Sequence, residues 1–190
     1  MATPTALIIL TEGAEEMETS ISFDVLRRAG VDVTVGGLAG GKQPVKCSRG
    51  LHMVPDIDVA DIGDQELYDA VILPGGFGAA PALIESAIVG QLLRRHYQAN
   101  RILAAICAAP LAFQSHRVGY GRRLTCHPLK SAGLADDANF RFVADSRVVV
   151  DGPLVTSLGP GTSFEWALAI VEKLYGPEKV AELSRLMLLK

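Results

Sequence analysis

Residues Arg101–Pro110, reading R-I-L-A-A-I-C-A-A-P, constrain the fold of this 190-residue chain more than any other stretch. Ile102–Ile106 is an uncharged apolar run of five residues, too short to require a helix and suited to a strand buried on both faces. It stops at Cys107 and is followed by Ala108, Ala109 and Pro110. Small residues let a turn close, and proline is tolerated in the first turn of a helix, where its missing N–H costs nothing. The stretch therefore predicts a strand, a sharp turn carrying Cys107, and a helix over about Ala108–Ser115. A sulfur on such an elbow would meet free N–H groups and the positive end of a helix dipole, both of which favour thiolate over thiol.

A strand buried on both faces needs covering layers, and the rest of the chain supplies them in alternation. Ala6–Leu10 is an apolar strand, followed by a turn at Thr11–Ala14 and a helix over Glu15–Ala29 that Gly30 stops. On that helix Met17, Ile21, Val25 and Leu26 share one side. Asp32–Val35 predicts a second strand, Gly36–Lys42 a turn, Val45–Val54 short irregular strands, and Pro55–Glu66 an acidic loop. Ala70–Leu73 is another buried strand, ending in Pro74-Gly75-Gly76, and Ala79–Tyr97 carries one helical pattern through Leu83, Val89, Leu92 and Leu93. After the Cys107 elbow, Arg122–Thr125 and Arg141–Val150 are strand-like, Asp151-Gly152 marks a hairpin, and Leu154–Ser157 is a further strand. Thr162 and Glu165 have capping-box spacing before a helix that Gly176-Pro177 ends, and a last helix runs to about Leu188. This order predicts a three-layer α/β sandwich with a mostly parallel sheet, one domain over residues 1–190 with no linker or repeat.

Composition narrows the function classes. A net charge of −3 without a basic run gives no reason to expect nucleic acid as an obligate partner. No apolar run approaches the length of a membrane span, and no secretory leader is evident. Cys47, Cys107 and Cys126 are odd in number and widely spaced, which is no disulfide framework and fits a reducing compartment such as the cytoplasm. A zinc site built on Cys126 and His127 lacks further ligands at recognisable spacing.

In open α/β sheets, ligands sit beyond the carboxyl ends of the strands. Glu18, Gly75 and Gly76, Cys107, His127, and Gly159-Pro160-Gly161 all follow strands and so converge on one edge. Singly, each has a plainer reading: a solvated helix glutamate, a turn, a buried thiol, a surface histidine. Together they place a candidate nucleophile beside a carboxyl and beside glycine N–H groups able to hold an oxyanion.

The same residues carry a family resemblance. Gly13-Ala14-Glu15-Glu16-Met17-Glu18, Leu73-Pro74-Gly75-Gly76, Ala104-Ala105-Ile106-Cys107-Ala108, Thr125 with His127-Pro128, and Gly159 to Glu165 resemble the Parkinson-disease-associated protein deglycase family, nearly end to end. This family lies within the cysteine peptidase-like and glutamine-amidotransferase-like superfamily. The resemblance implies a flavodoxin-like fold, a homodimer, and no metal or organic cofactor. It implies Cys107 as nucleophile and redox-sensitive thiol, Glu18 as a protonated carboxyl bonded to it, Gly76 and Ala108 as backbone oxyanion donors, and His127 in the pocket. Arg28 and Arg49 match arginines that shape the pocket and dimer region, and Gly75, Gly159 and Pro160 complete the pocket. The implied substrates are reactive carbonyls such as methylglyoxal, turned to lactate, and early glycation adducts. Oxidative-stress protection and chaperone activity are implied too, as are nuclear and mitochondrial pools beside the cytoplasmic one.

The chain departs from the pattern at three positions. Val54 stands where a second cysteine is expected, Leu158 where an arginine is expected, and Ala109 in place of a glycine. Two functions stay open: a cysteine enzyme of the glyoxalase or deglycase type, and a non-catalytic redox sensor or chaperone that needs the same thiolate. A peptidase is disfavoured, because Ala108 stands where peptidase-like relatives place a histidine base.

Overall fold

A computed structural model describes residues 2–38 and 40–189. Ala39, inside the turn expected over Gly36–Lys42, lies outside the described residues. A seven-stranded sheet forms the middle layer. In chain order its members are β1 (Thr5–Leu10), β2 (Asp32–Gly37), β5 (Ile57–Asp58), β6 (Ala70–Leu73), β7 (Ile102–Ile106), β10 (Val148–Asp151) and β11 (Leu154–Ser157). Their spatial order is β10-β11-β7-β6-β1-β2-β5, parallel throughout except for the β10–β11 hairpin. β3 (Val45–Lys46) with β4 (His52–Met53), and β8 (Arg123–Leu124) with β9 (Arg141–Phe142), make two small separate ladders.

Strand side chains alternate between faces, and the two faces of the sheet bury two cores. Ala6 and Ile8 of β1, Ala70 and Ile72 of β6, and Ala104 and Ile106 of β7 point to one layer. There they meet Val25 and Leu26 of α1 (Glu16–Ala29) and Trp166, Ile170 and Val171 of α6 (Ser163–Tyr175), with α7 (Pro177–Leu186) packed outside. Leu7, Ile9, Val71, Leu73, Leu103 and Ala105 point the other way, to Leu83 of α2 (Ala80–Glu85), Leu92 and Leu93 of α3 (Ala87–Gln98) and Phe113 of α4 (Leu111–Ser115). This is the expected α/β sandwich, with β7 central and fully covered.

Several expected boundaries move. The single helix over Ala79–Tyr97 is two, because Ser86 adopts extended backbone and its hydroxyl accepts from Val89 N–H, capping α3 afresh. The helix expected from Ala108 begins at Leu111, after tight turns over 107–110. Thr162 and Glu165 form no capping box: Thr162 Oγ1 pairs with Ser157 Oγ at 2.5 Å and with Gly159, while Glu165 takes Arg147. The strand-like run Arg141–Val150 breaks into β9 and β10, the acidic loop contains β5, and β2 continues through Gly36 and Gly37 beside Ile9 and Leu10. Met17, expected on the packed side of α1, is 51% exposed. The buried stripe of that helix instead runs through Glu18, Ser22, Val25, Leu26 and Ala29.

Candidate active site

The elbow forms at the carboxyl end of β7. Cys107 has φ +63°, a left-handed conformation that costs a non-glycine residue on the order of 1–3 kcal/mol. Both of its backbone groups are fixed: its N–H donates to Ser157 O at 3.1 Å, and its carbonyl accepts from His127 N–H at 2.8 Å. The adjacent strand β11 and the His127 loop thus hold the turn open.

Glu18 reaches the same point from α1. Glu15 caps that helix, its carboxylate accepting from Glu18 N–H at 2.9 Å, which sets the first turn so that the Glu18 side chain enters the protein. Glu18 is wholly buried; Oε2 accepts from Gly75 N–H at 2.7 Å, and Oε1 has no partner of good hydrogen-bond geometry. The Cys107 thiol lies beside this carboxyl.

Gly75 is the spacer. A Cβ there would stand 2.6 Å from Cys107 Cβ and 2.9 Å from Glu18 Oε2, so only glycine lets the three groups converge. Gly76 follows with φ +111°, and its N–H together with that of Ala108 is directed at the Cys107 sulfur. Two backbone N–H groups thus face the sulfur.

The electrostatics differ from the sequence-based expectation in one respect. Burial pushes the Glu18 carboxyl up to about 8, with the charge of Glu15 adding to the rise and the Gly75 N–H opposing it. Burial, and then the neighbouring Glu18 charge, push the Cys107 thiol up to about 12, against the two N–H donors. An elbow-lowered thiol was expected. The opposite sign arises because α4 is five residues long and starts four residues later, while Cys107 is only 4% exposed. A dry site cannot hold two negative charges, so the pair gives up one proton and resists losing the second.

Cys107 opens on a cavity of about 410 Å³. Its lining includes Glu15, Ser48, Arg49, Gly76, Phe77, Gly78, His127, Leu129 and Pro160. Arg49 is held by Glu16, whose carboxylate accepts from the Arg49 backbone N–H and from Ser48 Oγ. His127 presents Nδ1 to Leu129 N–H at 3.2 Å and packs edge-on against Phe77. Gly159 lies next to the His127 ring and lines an adjoining recess of about 260 Å³, with Leu158 and Arg147. Arg147 is there but engaged by Glu165 and Gly161 O.

The structure thus brings together Cys107, Glu18, Gly75, Gly76, Ala108, Arg49, His127 and Pro160, with Gly159 one recess away. It does not bring Arg28. That residue is in the last turn of α1, ten residues and about 15 Å along the helix from Glu18, where its side chain pairs with Asp24 at 2.6 Å. Sequence reasoning missed Phe77, Leu129, Ser48 and the anchoring role of Glu16. Among the described residues no group of three or more His, Cys, Asp or Glu side chains is placed to hold a metal ion.

A strand–elbow cysteine with a buried carboxyl partner, at the carboxyl edge of a flavodoxin-like sheet, defines a class of cysteine-centred α/β proteins. Residues 4–173 match the DJ-1/PfpI family, and the chain belongs to that family. It is 48% identical over 180 residues to Protein dj-1beta of Drosophila melanogaster, covering 95% of this chain and 94% of that one. It is 37% identical over 185 residues to the glutathione-independent glyoxalase DJR-1.2 of Caenorhabditis elegans, covering 97% and 96%. The crystal structure of Drosophila melanogaster DJ-1beta superposes with a TM-score of 0.94 at 46% identity, covering 100% of both chains. Reactive-carbonyl processing is thus represented within the family, and no helix among the described residues is long and apolar enough to cross a membrane.

Proposed function

We propose that this protein converts reactive 2-oxoaldehydes to 2-hydroxy acids through Cys107, without an added thiol or cofactor, methylglyoxal giving lactate. The observation that carries the reading is the buried Glu18 carboxyl, held in the protonated range beside a cavity-lining thiol that two backbone N–H groups address.

With its proton in place, Glu18 removes its own repulsion and becomes a donor to sulfur, so the single negative charge of the pair can reside on Cys107. The sulfur attacks the aldehyde carbon; a C–S bond forms, the carbonyl π electrons move to oxygen, and Glu18 supplies that oxygen's proton. The Gly76 and Ala108 N–H groups stabilise the developing charge. Glu18, now a carboxylate, takes the C1 proton to give an enediolate and returns it to C2, while the C1 hydroxyl proton passes to the C2 oxygen, so the ketone becomes an alcohol. C1 is left at the level of a thioester. Water then cleaves the C–S bond, leaving lactate and the free thiol. The aldehyde carbon is oxidised and the ketone carbon reduced, so no external electron carrier enters. The same attack on an early glycation adduct would reverse it.

Arg49 offers a positive charge to the acid that forms, and His127 bounds the cavity. A homodimer is part of this reading. Met17, Leu51 and Val54 are more than half exposed, and Val54 lines an apolar recess of about 310 Å³ with Phe23 and Met53, a surface suited to a second copy. A cytoplasmic setting belongs to the same proposal, supported by three free thiols, with nuclear and mitochondrial pools proposed from the family resemblance.

The test is lactate release from methylglyoxal, with no thiol added, by wild type and Cys107→Ser. Turnover lost with the sulfur supports the enzyme. Absent turnover in a wild type whose Cys107 still oxidises readily would leave the alternative, a redox sensor or redox-activated chaperone.

A further inference from the structure

The cavity is large for the substrate just proposed. About 410 Å³ falls in the range that holds drug-sized ligands, whereas methylglyoxal has five non-hydrogen atoms. The surplus space has a definite character. The lining includes Glu15, Ser48 and Arg49, which can meet a polar group, and Phe77, Leu129 and Pro160. Phe77 is 47% exposed and Leu129 78%, both at a site that opens on the nucleophile. Large apolar side chains left in contact with water around a reactive centre offer burial to whatever enters.

The Phe77 ring is also held in place. It meets the His127 ring edge-to-face, with centroids 5.2 Å apart and planes at 89°, and Lys130 Nζ sits 4.8 Å from its centroid. His127 is in turn fixed by Leu129 N–H. An aromatic surface already immobilised loses little conformational freedom when a ligand stacks on it.

We propose that Phe77, with Leu129, forms a subsite for the carbonyl's substituent and makes this protein select 2-oxoaldehydes that carry an aromatic group. The inference rests on the carbonyl-processing reading and specifies its substrate class. An aromatic substituent would bury itself against Phe77 while its aldehyde reaches Cys107, with Ser48 and Arg49 available as donors to the oxygens.

The test compares initial-rate kcat/KM for phenylglyoxal and methylglyoxal in wild type, Phe77→Ala and Phe77→Tyr. Loss of one aromatic wall should lower the phenylglyoxal-to-methylglyoxal ratio by about tenfold in Phe77→Ala, and Phe77→Tyr should restore it. A ratio unchanged in Phe77→Ala overturns the subsite. So does an equal fall for both substrates, which would make Phe77 a support for His127 alone. A second measurement is independent of turnover: acetophenone should slow iodoacetamide labelling of Cys107 in wild type and not in Phe77→Ala, with acetone at equal concentration inert. Protection without turnover of either aldehyde would uphold the aromatic subsite and sink the carbonyl reading; absence of protection would sink the subsite.

Discussion

Gly75 donates its backbone N–H to Glu18 Oε2 at 2.7 Å, and the space where its side chain would be is bounded by that same oxygen and by Cys107 Cβ. One residue therefore both orients the carboxyl and sets its distance from the thiol. Two of the three atoms nearest a Cβ at Gly75 are Ile106 O, at the end of β7, and Cys107 Cβ, on the elbow whose backbone Ser157 O and His127 N–H fix. Gly75→Ala should accordingly destabilise the fold by about 1–3 kcal/mol, as overpacking does, and reduce carbonyl turnover by roughly a hundredfold through displacement of the pair. Urea unfolding and lactate release measure the two effects. An alanine variant with wild-type turnover would show that the spacing is not needed.

Glu18 gives the protein an unusual pH dependence. Its carboxyl is raised from 4.5 to about 8 in the folded chain. Between those values the folded state keeps a proton that the unfolded state has released, so stability falls as pH rises from about 4.5 and the loss is complete above about 8. Glu18→Gln removes this component. Wild type should lose on the order of 5 kcal/mol relative to the variant across that window. Turnover in the variant should fall by at least ~100-fold, because Gln can donate but cannot exchange a proton. Melting temperatures against pH test the first claim; parallel curves for the two proteins would mean that Glu18 ionises normally.

All three thiols are buried, and burial raises all three: Cys107 and Cys126 to about 12, Cys47 to about 11 with the charges of Glu16, Glu12 and Glu15 adding to it. What separates them is surroundings. Cys107 opens on the cavity and faces two N–H donors, whereas Cys126 packs among Leu124, Leu134 and Phe140 and Cys47 among Val45 and Ala79 beside three carboxylates. Limiting peroxide should therefore add oxygen to Cys107 first, as seen by peptide mass. Earlier modification of Cys47 or Cys126 would contradict the assignment.

These residues also show what the linear sequence carries. The Cys107 elbow was legible because an uncharged five-residue run ends in small residues, a pattern with few structural solutions. The convergence of Gly75 and Gly76 with Cys107 follows from their places after β6 and β7, but His127 follows β8, which pairs with β9 outside the main sheet, and reaches the elbow through its N–H bond to Cys107 O. The burial of Glu18 did not, because its helix stripe also contains Ser22 and so looks half solvated. Ser86 was hidden inside an apolar period that continues across the break between α2 and α3. The raised thiol could not be read from sequence, since it depends on how deeply a short elbow sinks. Phe77 sits in a loop, where no periodicity marks an aromatic residue as a wall.

The opposite end of the sheet holds another buried ionisable group. His96 is fully buried; Nδ1 lies 2.7 Å from Leu92 O and Nε2 accepts from Tyr68 N–H at 3.0 Å. A carbonyl beside Nδ1 requires a proton there, and an N–H beside Nε2 requires a lone pair, so the ring is neutral with one defined tautomer. Burial holds its pKa below the ordinary value of 6.5; the bond to Leu92 O works the other way, and the charges of Arg95 and Arg101 lower it further. As pH falls below about 6.5 the unfolded chain takes up a proton that the folded chain refuses, so His96 stability is present above 6.5 and is lost as pH falls toward the depressed value. This slope opposes that of Glu18, whose contribution falls as pH rises from about 4.5, so the two changes offset each other where their windows overlap. His96→Ala leaves the Tyr68 N–H without an acceptor and should cost about 1–3 kcal/mol or more at neutral pH. That deficit should shrink as pH is lowered from 6.5 toward 5, because the variant lacks the titrating group. His96→Gln, which keeps an acceptor and a donor, should recover part of the neutral-pH stability while still flattening the acid limb. Denaturant midpoints for the three proteins at pH 5, 6 and 7.5 decide the matter; a deficit for His96→Ala that is constant over this range would mean that His96 titrates alike in the folded and unfolded chains.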